Sequence, residues 1–117
     1  VFAVDTDALA VRSTIENSKL NQINEECLNA FLGSIEALQT ELYNKPVDLL
    51  LCNILAPVIE SLAPKLERVI APKGHALLSG LLVDQAPTLT AILEKLGWRI
   101  LFFERQEHWG LLEICKA

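Results

Sequence analysis

The sequence has no methionine, two histidines, three cysteines and five glycines, and each shortage closes off some chemistry. Cys27, Cys52 and Cys115 are far apart and odd in number. No Cys-x-x-Cys or Cys/His spacing is present, so a zinc site is not expected. Buried or incidental thiols of a reducing compartment suit this pattern. His75 and His108 stand near neither a cysteine nor a serine-nucleophile signature, which argues against a metal centre and against a Ser/His hydrolase. Lys and Arg form no cluster and the formal net charge is −5, so the chain lacks the electrostatic footprint of a nucleic-acid binder. No apolar run approaches ~20 residues, so no transmembrane helix is expected. No signal peptide opens the sequence, and a cytoplasmic protein is the expectation. Finally, no G-x-G-x-x-G or other glycine-rich phosphate loop occurs.

What is present is apolar and patterned. The 117 residues are 51% hydrophobic and 21% charged, enough for one globular domain with its own core. The chain opens on Val1-Phe2-Ala3-Val4, inside a strand-like run and without an initiator methionine, which reads as a fragment.

Residues 1–4 predict a short buried strand. Asp7 is a suitable N-cap for a helix running to about Leu20, with Asn21 as its stop. A second strand is expected within 24–33, a turn at 34–37, and polar loop with a helical turn over 38–46. Residues 47–52, Val-Asp-Leu-Leu-Leu-Cys, form an apolar run that predicts a parallel strand buried on both faces. Pro57 suits the first turn of the next helix, and Pro64 is placed to kink or split it. Pro72-Lys73-Gly74 predicts a turn, and 75–82 a further strand. A helix starting at Val83 or Asp84 ends on Gly97. Residues 98–104 and 110–116 predict a terminal hairpin around 105–109. Strands that alternate with helices imply an α/β fold with a mostly parallel sheet.

Three places carry candidate chemistry. Asn53 ends the apolar strand, where ligands bind in open α/β sheets. A carboxamide there offers two donors and an acceptor. Alternatively it bonds the backbone and caps the helix near Pro57. Asp5 also follows a strand. Its carboxylate suits two ribose hydroxyls, or it merely terminates the strand while Asp7 caps the helix. Ser34 and Ile35, in Gly33-Ser34-Ile35-Glu36-Ala37-Leu38, lie where backbone groups could meet an adenine edge, or form a turn with a hydroxyl cap. Trp109 suits hairpin packing better than a stacking platform.

Taken in order, Val4-Asp5-Thr6-Asp7-Ala8-Leu9-Ala10, Glu16-Asn17, Asn21, Gly33-Ser34-Ile35-Glu36-Ala37-Leu38, Asp48-Leu49-Leu50-Leu51-Cys52-Asn53-Ile54-Leu55-Ala56 and Leu77-Leu78-Ser79-Gly80-Leu81-Leu82 resemble the catalytic domain of the bacterial PrmA-type ribosomal protein methyltransferases. Glu107-His108-Trp109 before an apolar strand also fits. The resemblance implies a class I, Rossmann-like methyltransferase fold whose last strand is antiparallel. It implies S-adenosyl-L-methionine as cofactor, with Asp5 on its ribose, Ser34 and Ile35 near adenine, and Asn53 beside its methionine end and the incoming amine. The Asn53-Ile54-Leu55-Ala56 segment occupies the place of the Asn-Pro-Pro-aromatic motif of related amino-group enzymes. The implied substrate is the eleventh protein of the large ribosomal subunit, with no direct nucleic-acid or membrane partner. The family's first strand and glycine-rich loop have no counterpart here. Their loss would leave a gap between the strands at 1–4 and 47–52, little activity in the isolated chain, and open edges prone to self-association. The alternatives are another class I methyltransferase acting on glutamine or RNA, a nicotinamide-dependent oxidoreductase, or a non-catalytic interaction domain.

Overall fold

The computed structural model describes every residue, Val1–Ala117, and divides into two compact units, Val1–Lys45 and Pro46–Ala117. Each is described by itself.

In the first unit, β1 (Phe2–Asp5) pairs in parallel with β2 (Asn29–Leu32). The crossover is α1 (Ala8–Leu20), capped by the Asp7 carboxylate, which accepts from the Leu9 amide at 2.9 Å. Asn21 ends the helix, its side-chain nitrogen donating to the Asn17 carbonyl at 2.8 Å. The second strand occupies only the last part of 24–33, because Asn24 holds a turn through Cys27. The loop expected over 38–46 is a correction: α2 spans Ile35–Glu41. Ile35, Leu38 and Leu42 recur at i, i+3 and i+7, and all three are buried, so packing of that stripe outweighs the polar residues between them. The strand expected to be buried is half-exposed, with Phe2 at 42%.

The second unit is a four-stranded sheet in the order β3-β4-β6-β5. β3 (Val47–Asn53) runs parallel to β4 (Ile70–Leu82). β6 (Trp109–Lys116) is antiparallel to both β4 and β5 (Trp98–Gln106). α3 (Ala56–Leu62), a 3-10 segment Ala63–Arg68 beginning at Pro64's turn, and α4 (Ala86–Lys95) supply the packing partners. Pro64 thus divides the helix, as its ring and missing N–H require. Gly97 follows α4 at φ +90 and donates to the Glu94 carbonyl, the expected C′ role.

The core lies on one side of this sheet. Ala76 and Leu78 of β4, Leu112 and Ile114 of β6, and Leu89 and Leu93 of α4 are all 0–1% exposed. Each of the larger ones contributes on the order of 1.5–3 kcal/mol on burial. The opposite face carries Leu49, Leu51 and Asn53, in register with His75, Leu77 and Ser79. Here the structure corrects the expectation of a strand buried on both faces: Leu49 is 54% and Leu51 69% exposed. The run is apolar from Leu49 to Cys52, yet β3 has a paired neighbour on one edge only. A second correction concerns Pro72-Lys73-Gly74, which lies inside β4 rather than in a turn. Val47 pairs with Ile70 and Leu49 already with His75. The intervening residues leave the ladder as a bulge, a place in a strand where a proline costs no hydrogen bond.

Candidate functional site

The structure assembles the sequence candidates in two groups, one at the carboxyl edge of each parallel strand pair. In the first unit Asp5 ends β1, and its carbonyl accepts from the Gly33 amide at 2.9 Å. Asp5, Gly33 and Ser34 therefore share an edge. One carboxylate oxygen of Asp5 accepts from the Asp7 amide at 2.9 Å, an Asx turn, so its structural use is real and leaves the second oxygen for a ligand. Ser34 is the N-cap residue of α2 but makes no side-chain cap bond. Ile35 is only 7% exposed, so any contact it offers there is through its backbone. Gly33 is at φ +148, and a Cβ on it would lie 2.4 Å from that of Ala37.

In the second unit Asn53 lines an open cleft of about 580 Å3 together with Ile54, Leu55, Ser79, Gly80, Gln106, Trp109 and Gly110. The helix that follows is capped at Leu55 without any side-chain bond. Asn53 is therefore not the helix cap. Its carboxamide makes no hydrogen bond within the chain. The carboxamide is exposed at the carboxyl edge of a parallel strand, with its donors and acceptor unused by the chain.

The other wall comes from the hairpin. Gln106 pairs with Trp109, leaving Glu107-His108 as a two-residue loop with Glu107 at φ 54. The Arg105 Nε donates to the Glu107 carbonyl at 3.0 Å, and the Val83 amide to the His108 carbonyl at 2.8 Å. These bonds hold Trp109 at the cleft with 54% of its surface exposed. Sequence reasoning assigned this tryptophan to hairpin packing and passed over Gln106. Their signal lies in the loop length, because a two-residue loop fixes which side chains leave the same face.

The cleft's chemistry is defined by what lines it. None of its eight residues carries an ionisable side chain. The nearest such group in sequence is Cys52, whose thiol burial pushes up to about 11, so it stays protonated at neutral pH and is no nucleophile. Thiol-directed labelling at about pH 8 is expected to modify exposed Cys27 rapidly, and Cys52 and buried Cys115 slowly. Equal rates at Cys27 and Cys52 would contradict this placement. No group of three His, Cys, Asp or Glu residues is arranged to hold a metal ion. The cleft's lining can orient a reactant but offers no group for proton transfer by the protein.

The family model described as Ribosomal protein L11 methyltransferase (PrmA) matches residues 1–117. The chain belongs to this family. It is 59% identical over 114 residues to the ribosomal protein L11 methyltransferase of Parasynechococcus marenigrum (strain WH8102), covering 97% of this chain and 39% of that relative. With the protein of the same name from Synechococcus sp. (strain RCC307) it shares 53% identity over 117 residues, covering 100% and 38%. The crystal structure of a ribosomal protein L11 methylase from Lactobacillus delbrueckii subsp. bulgaricus is similar at a TM-score of 0.88 and 25% identity. That likeness covers all of this chain and 57% of the other. An rRNA methylase from Streptococcus thermophilus, at TM-score 0.74 and 12% identity, shares the fold alone. The PrmA-family chain thus spans about two-fifths of the length of these curated relatives. Its α/β architecture, with an antiparallel β6 joining β4 to β5, is the Rossmann-like class I methyltransferase fold.

Proposed function

We propose that this chain is part of the catalytic domain of a longer cytoplasmic enzyme, both units included. The enzyme transfers methyl groups from S-adenosyl-L-methionine to amino groups of a large-subunit ribosomal protein, a lysine side chain or the amino-terminal amine. The observation that carries this is the unbonded Asn53 carboxamide in a cleft without ionisable groups. Family membership over residues 1–117 supports the substrate class.

The residues present fit the cofactor. Asp5 keeps one carboxylate oxygen for the ribose hydroxyls, and the backbone at Ser34 and Ile35 lies along the same edge for the adenine. Trp109 offers an exposed indole face, which attracts cationic groups. When bound, S-adenosylmethionine supplies an electrophilic methyl group on a sulfonium. Asn53 accepts an N–H of the incoming amine through its carboxamide oxygen and so aims the nitrogen lone pair. Orientation of this kind supplies much of the rate enhancement. No side chain of the cleft takes the proton, so the amine arrives neutral, its proton already lost to water.

Two measurements on the full-length parent test this. Mass spectrometry of the methylated ribosomal protein is expected to place the new methyl groups on amines. Because a lysine amine has an ordinary pKa near 10.4, kcat/KM for it should rise about tenfold per pH unit between about pH 7 and about pH 9. Methylated glutamine, or a kcat/KM that does not change between about pH 6 and about pH 7, where either kind of amine is still mostly protonated, would sink the assignment.

A further inference from the structure

We propose that Gly80 is a positioning residue for methyl transfer, holding the Asn53 carboxamide in its working place. The proposal rests on Asn53 as the group that orients the amine. Leu78 pairs with Leu112 and Leu81 with Gly110. Ser79 and Gly80 on β4 therefore oppose the single residue Leu111 on β6, a β-bulge, and Gly80 takes φ +81 within it. Bulges with a left-handed glycine re-aim the strand beside a site. This one sits where β3 leaves β4. Asn53 and Ser79 are the last pair of that ladder, and the Ile54 amide donates to the Ser79 carbonyl at 3.2 Å.

The missing side chain matters as much as the backbone angle. A Cβ on Gly80 would lie 2.5 Å from the Ile54 carbonyl oxygen and 2.9 Å from the Asn53 side-chain oxygen, Oδ1. The first is backbone and cannot swing away. Any side chain at this position must push the Asn53-Ile54 segment off β4, and the carboxamide moves with it. Nothing else in the cleft bonds that carboxamide or draws it back. Displacements of about 1 Å near reacting atoms cost on the order of 10²-fold in rate.

The test is a double-mutant cycle in the full-length parent, with steady-state kinetics and thermal melting. Gly80→Ala is expected to lower kcat by about 10²-fold while KM for S-adenosylmethionine changes by less than about threefold. In an Asn53→Ala background the same change should lower kcat by less than about threefold, because the group it displaces is gone. Gly80→Asn supplies the second variant. Asparagine tolerates the left-handed backbone but still carries a Cβ, so it should fold and lose activity as Ala does. Full activity in Gly80→Asn would overturn the proposal. So would equal losses from Gly80→Ala in both backgrounds, which would mark an effect on the fold. If Asn53→Ala alone leaves turnover intact, the assignment of Asn53 fails first and this proposal with it.

Discussion

Replacing Asn53 by alanine lowers turnover of the proposed parent enzyme by about 10²-fold or more and leaves its thermal stability almost unchanged. The two halves of this expectation have separate physical grounds. The carboxamide caps no helix and bonds no backbone group. Surface substitutions away from packed or bonded features shift stability by about 0.5 kcal/mol or less. Alanine also leaves β3 intact, because the strand's hold on the sheet comes from its ladder with β4. Turnover has no comparable substitute. The cleft contains no acid or base to compensate, so under the proposed function orientation of the amine is the main service the protein performs there. Steady-state kinetics and a melting curve on the same preparation check both halves. A large fall in melting temperature with unchanged kcat would make Asn53 a structural residue.

The second expectation is an absence of binding. The isolated 117-residue chain should bind S-adenosylmethionine with a Kd weaker than about 1 mM, which corresponds to only about −4 kcal/mol. Asp5 has one of its oxygens committed to the Asp7 amide. The sequence contains no glycine-rich loop to supply further backbone donors. The Asn53 cleft is open and its walls are polar at few points. Such an arrangement cannot offset the loss of translational freedom that binding entails. In addition, each sheet ends on a parallel strand, β1 or β3, with a single paired neighbour. Open edges of this kind favour self-association. Isothermal titration with S-adenosylmethionine, with NAD in parallel, reads this out. Micromolar affinity for S-adenosylmethionine would show that the donors are already complete, and affinity for NAD alone would point to an oxidoreductase.

Several of these features were legible in the sequence because they are local. The run at 47–52 is too apolar to lie in a loop, and Asn53 interrupts it where a parallel strand must end. Asp7 and Gly97 announce the helix boundaries they form. What escaped depends on distant partners. Whether Leu51 is buried is decided by which strands flank β3, and no local pattern carries that. The turn signal of Pro72-Lys73-Gly74 is genuine, but pairing of Ile70 with Val47 converts it into a bulge. α2 was legible in principle, since Ile35, Leu38 and Leu42 keep helical spacing, but Gln39, Thr40 and Asn44 dilute the signal. The cleft itself is the least local feature. It needs β6 to lie between β4 and β5, so that Trp109 and Gly110 come beside Leu82 and Leu81. Gly80 shows the same limit: its role rests on Asn53 and Ile54, far away in sequence and within 3 Å of where its side chain would be.

The central claim is that the Asn53 carboxamide orients an amine for methyl transfer. Its most direct test is the single-turnover rate of transfer in the full-length parent, wild type against Asn53→Ala, with cofactor and ribosomal protein both saturating. A rate constant lower by about 10²-fold at unchanged cofactor affinity is the predicted result. Equal rate constants in the two proteins would contradict it.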